Sequence, residues 1–262
     1  MNFIRKCLAA LMLLTCLCAH ADDSKVGVVL MHGKGGSPSK HVSALADALQ
    51  RNGYLVANLK MPWSGRRDYD VDVAAAQDEV LAALASFRQK GAAKVFVAGH
   101  SQGGLFALYF GGKEHVDGVI AIAPGGDVGN AMFRDKLAES VERARSLVEE
   151  GKGQEKARFS DYEGAKGLYP VQTTPATYLT WFDPDGAMNQ TMAMKSIKPD
   201  TPVLFIAPSN DYPQLQRVKE VMFGLLAKNP LTKLYEPNSN HLGAPAASIQ
   251  EIEDWIGVVA KP

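Results

Sequence analysis

Residues 99–104 read Gly-His-Ser-Gln-Gly-Gly and contain a serine whose surroundings suit nucleophilic chemistry. The apolar run at 94–98, typical of a strand, precedes them, and a helical run at 105–110 follows. Glycines two residues before and after Ser101 suit a sharp strand-to-helix turn, because a Cβ at either position would clash with the neighbouring strand and helix. The pattern therefore predicts a nucleophile elbow with Ser101 as the attacking residue.

A serine that attacks an acyl carbon also needs hydrogen-bond donors for the oxyanion that forms. The stretch His-Gly-Lys-Gly-Gly at residues 32–36 follows a strand-like run, as such a loop should. We expect the backbone N–H groups of Lys34 and Gln102 to point at one oxygen. A nucleotide-binding loop is disfavoured, because the glycines match neither the GxxxxGK[ST] nor the GxGxxG spacing.

The serine must pass its proton to a base, and histidine suits that task near neutral pH. His241 lies in the loop at 238–245, after the last strand-like run, and is the predicted base. His100 is next to the serine but is expected to point away from it. The remaining histidines belong to the N-terminal segment, the glycine-rich loop, and helix or turn positions: His20, His32, His41 and His115.

An orienting carboxylate completes this arrangement. Asp211 follows the apolar run at 202–207 and precedes His241 in the chain. The order is then serine, aspartate, histidine, with each residue on a loop at a strand end. Asp211 is the favoured acid, and Asp127, after the run at 116–123, is the alternative.

The elements that must position these residues form an α/β pattern. Short apolar runs alternate with helical patterns, which predicts a mostly parallel sheet of about six strands with helices on both faces. Helical patterns at 40–52 and 71–90 end at Gly53 and Gly91. The predicted strands are residues 26–31, 54–59, 94–98, 116–123, 202–207 and 233–236.

Residues 125–200 separate two predicted strands by more than an ordinary crossover. A helical pattern covers 130–150, whereas 152–174 is predicted to be irregular. We expect this helical insertion to form a cap over the carboxyl edge of the sheet, where open α/β folds bind ligands. A peripheral helix pair without a role is the alternative. The methionines of the insertion either line an apolar pocket or pack internally: Met188, Met192 and Met194.

The N-terminal segment has the pattern of a signal peptide. Arg5 and Lys6 precede an apolar run at 8–17 and the triplet Ala-His-Ala, which predicts cleavage after residue 21. The apolar run is shorter than the about 18 residues of a membrane span. A periplasmic or secreted protein of residues 22–262, forming one domain, is expected. A short membrane anchor and a lipid anchor at Cys16 are the alternatives.

Composition narrows the expected partners. The chain of 262 residues has 28 basic and 28 acidic side chains, which argues against a nucleic-acid-binding surface.

All three cysteines, Cys7, Cys16 and Cys18, lie in the predicted leader. Without cysteine or an HExxH motif after residue 21, neither a metal nor a cofactor is predicted. The Asp-Pro-Asp-Gly sequence at 183–186 is interpreted as a turn rather than a calcium site.

From about residue 26 to 259 the chain resembles the α/β-hydrolase superfamily. The resemblance rests on HGKGGSP at 32–38, GY at 53–54, GHSQGG at 99–104, PVLFIAPSND at 202–211 and NHLG at 240–243. It implies Ser101 as nucleophile, Asp211 as orienting acid, His241 as base, and main-chain oxyanion donors at Lys34 and Gln102. The chain departs from the family in two ways. The expected mature chain would begin at what resembles the family's third strand, so that the family's first hairpin would be missing and the N-terminus minimal. Ala207-Pro208 also replaces a glycine often found before the acid.

These features predict a serine hydrolase that cleaves a carboxylic ester or thioester through an acyl-enzyme intermediate. Esters and thioesters are favoured because an alkoxide or thiolate leaves more easily than an amine. The expected partner is a small-molecule ester or acyl substrate, and the sequence predicts no oligomeric state. A peptidase of the same fold and a non-catalytic binding protein are the alternatives.

Overall fold

The computed structural model describes residues 25–164 and 166–261. The predicted signal peptide at residues 1–21, with its cysteines, lies outside these described residues. Within them, no helix combines the length and the apolar character needed to cross a bilayer.

The strands of the described chain belong to one large sheet and one hairpin. They are β1 (Lys25–Met31), β2 (Leu55–Leu59), β3 (Ala92–His100), β4 (Gly118–Ile122), β5 (Ala157–Glu163), β6 (Gly167–Thr173), β7 (Val203–Ile206) and β8 (Lys233–Tyr235). Six of them form a parallel sheet in the order β2-β1-β3-β4-β7-β8. The predicted α/β fold, with a parallel sheet of about six strands, is confirmed.

Helices cover both faces of this sheet, as predicted. They are α1 (Ser43–Arg51), α2 (Val73–Gln89), α3 (Gln102–Lys113), α4 (Ala131–Glu149), α5 (Pro175–Phe182), α6 (Gln190–Ser196), α7 (Pro213–Phe223), α8 (Ala244–Ala247) and α9 (Ile249–Val259). Alternate residues of each strand face opposite layers. Thus Val28 packs in a core with α1 and α9, whereas Val29 packs in a core with α2 and α3.

The chain between β4 and β7 contains α4, the β5–β6 hairpin, α5 and α6. The prediction that residues 152–174 are irregular is wrong, because β5 and β6 pair as an antiparallel hairpin. Its strand pattern is hard to recognise because one buried position of β5 holds Phe159 while the next holds the charged Asp161. The paired strand also contains Pro170, which weakens the signal further.

Candidate active site

Ser101 joins β3 to α3 in a strained backbone conformation, with φ 54° and ψ −118°. A Cβ added at Gly99 would overlap the backbone of Gly103, and one added at Gly103 would overlap that of Met31. Only glycine therefore fits at these two positions. The backbone N–H of Ser101 donates to the carbonyl of Ile122 in β4 at 2.9 Å, which holds the turn against the sheet.

The structure brings His241 and Asp211 together. Nδ1 of His241 lies 2.7 Å from Oδ1 of Asp211, and both side chains are almost wholly buried. The two residues follow β8 and β7, which are neighbours in the sheet. A parallel bridge between Asn210 and Asn240 continues this strand pairing into the two loops. Because Nδ1 donates to the carboxylate, Nε2 is left as the acceptor in a neutral His241.

Ser101 and His241 line the same cavity. Among the described residues there is no direct hydrogen bond between their side chains. The ring of Tyr212 lies against that of His241, with centroids 4.7 Å apart, and covers the histidine at the cavity wall.

Asp127, the alternative acid, contacts other groups. Its Oδ1 accepts hydrogen bonds from the backbone N–H groups of Gly129 at 3.0 Å and Gln190 at 2.9 Å. It thereby ties the loop after β4 to the first residue of α6. Burial raises the pKa of this carboxyl group, although the two N–H donors oppose the shift. The structure thus pairs His241 with Asp211 and not with Asp127.

Lys34 and Gln102, the predicted oxyanion donors, line the cavity beside Ser101. Gln102 is the first residue of α3, where a backbone N–H has no acceptor within its own helix. The side chain of Lys34 turns away from solvent and forms a 2.6 Å ion pair with Asp161 of β5. No sequence motif singled out Asp161.

The glycine-rich loop is held by the segment after β2. The indole Nε1 of Trp63 donates to the carbonyl of His32 at 2.7 Å, and Gly35 N–H donates to the carbonyl of Trp63 at 2.9 Å. His32 accepts a hydrogen bond from Met61 N–H at Nε2, so its Nδ1 is the atom that donates to the Gly33 carbonyl. Burial lowers the pKa of His32, which keeps this structural histidine neutral.

His100, which follows Gly99 and precedes Ser101, contacts the predicted base, His241. Its Nε2 donates to the main-chain oxygen of His241 at 2.8 Å. Burial, reinforced by the neighbouring His241, lowers the pKa of His100 to about 3. A neutral His100 therefore anchors the backbone of His241, a role that its position beside Ser101 did not reveal.

The cavity has a volume of about 550 Å³. One side is formed by the glycine-rich loop, Ser101 and His241. Apolar and aromatic side chains from the β4–β7 segment, from the start of α7 and from the loops after β7 and β8 line part of the remaining wall: Phe133, Tyr162, Tyr212, Leu215 and Leu242. Charged side chains also line it, among them Lys40, Asp127 and Glu163. The site is therefore a concave pocket in which Ser101 and His241 lie beside both apolar and charged side chains.

The methionines of residues 125–200 do not line this cavity. Met188 and Met194 are buried in the core beneath α3, whereas Met192 is half exposed. Of the two interpretations offered, internal packing is supported for Met188 and Met194, whereas Met192 neither packs internally nor lines the cavity.

Residues 183–186 form a turn, as interpreted from the sequence. The N–H of Gly186 donates to the carbonyl of Asp183 at 2.9 Å, and the N–H of Asp185 donates to the Asp183 carboxylate at 3.0 Å. Within residues 25–164 and 166–261, no group of three or more His, Cys, Asp or Glu side chains is arranged to hold a metal ion.

Comparison with known proteins matches the model of the alpha/beta hydrolase family to residues 28–253. No curated protein matches this chain. The solved monoacylglycerol lipase of Paleococcus ferrophilus is 20% identical over 89% of this chain and 95% of its own, with a TM-score of 0.61. A thermostable carboxyl esterase from Bacillus coagulans is 15% identical over 90% of this chain and 89% of its own, with a TM-score of 0.58. At these identities the likeness to solved structures shows a common fold.

Proposed function

This chain belongs to the alpha/beta hydrolase family, and from that premise we propose that it is a serine hydrolase acting on a carboxylic ester or thioester. One observation carries the proposal. The carboxylate of Asp211 lies 2.7 Å from Nδ1 of His241, and this histidine shares a cavity with the strained Ser101. A nucleophile, a base and a carboxylate that orients the base are the groups that acyl transfer requires.

In the proposed reaction, Ser101 Oγ attacks the acyl carbon while Nε2 of His241 takes the hydroxyl proton. Asp211 holds the imidazole in the required tautomer and stabilises the imidazolium that forms. The N–H groups of Lys34 and Gln102 bind the oxyanion, and the N-terminus of α3 favours its negative charge. His241 then gives the proton to the departing alkoxide or thiolate. Water repeats the sequence on the acyl-enzyme and releases the acid.

The choice of an ester or thioester rests on chemistry and on the cavity. An alkoxide or thiolate departs more readily than an amine, so less help is needed for the leaving group. The apolar and aromatic side chains of Phe133, Tyr162 and Leu215 in the cavity wall suit the hydrocarbon part of an acyl or alcohol group. Two of the structural neighbours are named as a lipase and a carboxyl esterase, which supports an ester as the substrate.

A fluorophosphonate probe, which reacts with activated serines, tests the proposal. We expect labelling of the native protein, loss of labelling in Ser101→Ala, and retention in a matched Ser39→Ala variant, whose hydroxyl is on an exposed residue. A panel of nitrophenyl esters and thioesters of graded chain length then identifies the preferred acyl group. Absence of both labelling and turnover in the native protein would contradict the proposal, as would labelling of Ser101→Ala equal to the native level.

A further inference from the structure

A buried hydrogen-bond network reaches both residues proposed to supply the oxyanion donors. At its centre is the Asp161 carboxylate in β5, which has no solvent exposure. Its Oδ1 accepts from Lys34 Nζ at 2.6 Å and from the N–H of Tyr162 at 2.6 Å. Its Oδ2 accepts from the hydroxyl groups of Tyr69 at 2.9 Å and Tyr169 at 2.7 Å. Every oxygen of this buried carboxylate is therefore satisfied twice.

The same network also connects Asp161 to Gln102 through the hydroxyl group of Tyr69. The Tyr69 hydroxyl lies closer to the Asp161 carboxylate, at 2.9 Å, than to Oε1 of Gln102, at 3.4 Å. Its only proton therefore goes to Asp161, and the hydroxyl oxygen accepts from Nε2 of Gln102 at 3.2 Å. Burial, together with the nearby Asp161 charge, raises the pKa of Tyr69 well above its usual value, so that the phenol stays protonated.

Tyr69 is held in a conformation that local preferences disfavour. Its φ of 55° lies in the left-handed region, which is rare for a bulky residue. The N–H of Tyr69 donates to the Pro62 carbonyl at 2.8 Å, and Thr173 Oγ1 donates to the Tyr69 carbonyl at 2.7 Å. Such strained residues concentrate at functional sites. The fold therefore aims the Tyr69 hydroxyl between Asp161 and Gln102 despite a backbone penalty.

A contribution to folding stability does not by itself explain why a charged residue, Asp161, occupies this buried position of β5. Removing a carboxylate and an ammonium from water is expensive, and an apolar replacement for a buried ion pair is often neutral or stabilising. The inward position of β5 two residues earlier is occupied by Phe159, so an apolar side chain would suit the hairpin. Asp161 is distinguished by the residues that it connects. It binds Lys34 of the glycine-rich loop directly, and it reaches Gln102, beside the proposed nucleophile, through Tyr69.

We propose that Asp161 is a positioning residue that fixes the two oxyanion donors relative to each other. It pulls the Lys34 side chain towards β5 and, through Tyr69, restrains the Gln102 side chain. The main-chain N–H groups of both residues are thereby held in place before substrate binds, and such preorganisation is what makes an oxyanion site effective. This inference rests on the proposed function. It also assigns the β5–β6 hairpin a part in catalysis beyond lining the cavity.

A role in oxyanion binding predicts a specific kinetic signature. Preorganised donors stabilise the tetrahedral oxyanion more than the substrate, so their disturbance lowers kcat and leaves KM nearly unchanged. We expect Asp161→Asn to lower kcat for a nitrophenyl ester by about 10²-fold, the scale for losing one oxyanion donor. Affinity for a trifluoromethyl ketone, which forms a tetrahedral oxyanion adduct with the serine, should fall by a similar factor.

Two tyrosine variants provide the matched comparison. Tyr69→Phe and Tyr169→Phe each remove one hydroxyl donor from the same Oδ2 of Asp161, at similar distances. Only Tyr69 also contacts Gln102. We expect Tyr69→Phe to lower kcat and trifluoromethyl ketone affinity together by about 10-fold or more. We expect Tyr169→Phe to keep both values within about 3-fold of the native enzyme. Thermal unfolding of both variants separates these effects from loss of folded protein.

The outcomes are separable. Equal losses in Tyr69→Phe and Tyr169→Phe, native values in both, or a larger loss in Tyr169→Phe would overturn the positioning role and leave Asp161 as a structural residue. If Asp161→Asn fails to fold, the tyrosine pair decides alone. A native protein that neither labels with fluorophosphonate nor turns over esters contradicts the proposed function itself. If the native protein labels with fluorophosphonate but Tyr69→Phe loses no more kcat and trifluoromethyl ketone affinity than Tyr169→Phe, only the positioning role of Asp161 is contradicted.

Discussion

His100 donates a hydrogen bond of 2.8 Å from its Nε2 to the main-chain oxygen of His241, although 141 residues separate the two in the chain. One histidine, next to the proposed nucleophile, thereby supports the backbone of the other, the proposed base. The rings also lie close, with centroids 4.9 Å apart. His100 is the last residue of β3 and precedes Ser101, so the end of this strand positions the serine and also binds the loop that follows β8.

Replacement of His100 should therefore destabilise the protein. In His100→Ala the buried carbonyl of His241 loses its donor, and we expect the free energy of unfolding to fall by about 1–3 kcal/mol from this bond alone. The lost ring volume adds to that loss. Urea unfolding measures the change. The exposed His115→Ala is the control, and equal stability of the two variants would contradict the anchoring role.

The same residue should make stability depend on pH. Burial lowers the pKa of His100 from 6.5 to about 3, so the unfolded chain binds a proton there more readily than the folded chain. Stability is then fully present above pH 6.5 and falls as the pH drops from 6.5 towards 3, by up to about 1.4 kcal/mol per pH unit. Unfolding of His100→Gln, which cannot titrate, should show a shallower slope over this range. Parallel slopes for the two proteins would rule out His100 as the source.

The two candidate acids are distinguished by substitution with asparagine. Asp211→Asn keeps the side-chain shape but presents a donor to His241, so the imidazole favours the wrong tautomer and kcat should fall by about 10³–10⁴-fold. Asp127→Asn retains an oxygen that can accept from Gly129 and Gln190, and kcat should change little. Steady-state kinetics on one nitrophenyl ester compares them. A large loss in Asp127→Asn beside a mild one in Asp211→Asn would reverse the assignment.

Ser101→Ala should remove activity without unfolding the chain. We expect kcat to fall by about 10⁴–10⁶-fold, since the nucleophile is lost. The free energy of unfolding should stay within about 1 kcal/mol, because only one oxygen at the cavity wall is removed. Circular dichroism melting and ester hydrolysis test both statements. Substantial turnover by this variant would remove Ser101 from the proposed mechanism.

The predicted signal peptide gives a further testable expectation. The leader pattern predicts a mature chain that begins near Asp22 and contains no cysteine. Reductant should then change neither the activity nor the melting temperature of the exported protein. N-terminal analysis and intact mass measure the start of the chain. A retained, lipid-modified Cys16 would contradict cleavage after residue 21.

Much of the sheet and of the proposed reacting centre follows from local patterns. The strand that ends at Ser101, the flanking Gly99 and the helix after it lie within a few residues of each other, so their spacing is visible in the sequence. The pairing of Asp211 with His241 was also within reach. Adjacent parallel strands bring their following loops together, and both residues lie in the loops that follow such strands.

The β5–β6 hairpin and the role of its buried carboxylate, Asp161, could not be predicted from local sequence patterns. A strand is recognised by alternating apolar residues, and β5 places the charged Asp161 at a buried position. That charge is stable inside because three side chains contact it there. Tyr169 is its partner across the hairpin, but Lys34 and Tyr69 come from parts of the chain that are distant in sequence. Local sequence patterns do not show contacts between residues that are distant in the chain.

The amino-acid sequence by itself thus determined the parallel sheet, the turn at Ser101 and the candidate acid and base, because periodicity and strand-end position are properties of neighbouring residues. The tertiary structure alone decided which buried groups contact them. His100 reaches the backbone of His241, and Asp161 joins Lys34 to Gln102 through Tyr69. The physical reason is that a buried polar group must find its partners across the packed core, and the packing of all elements together selects those partners.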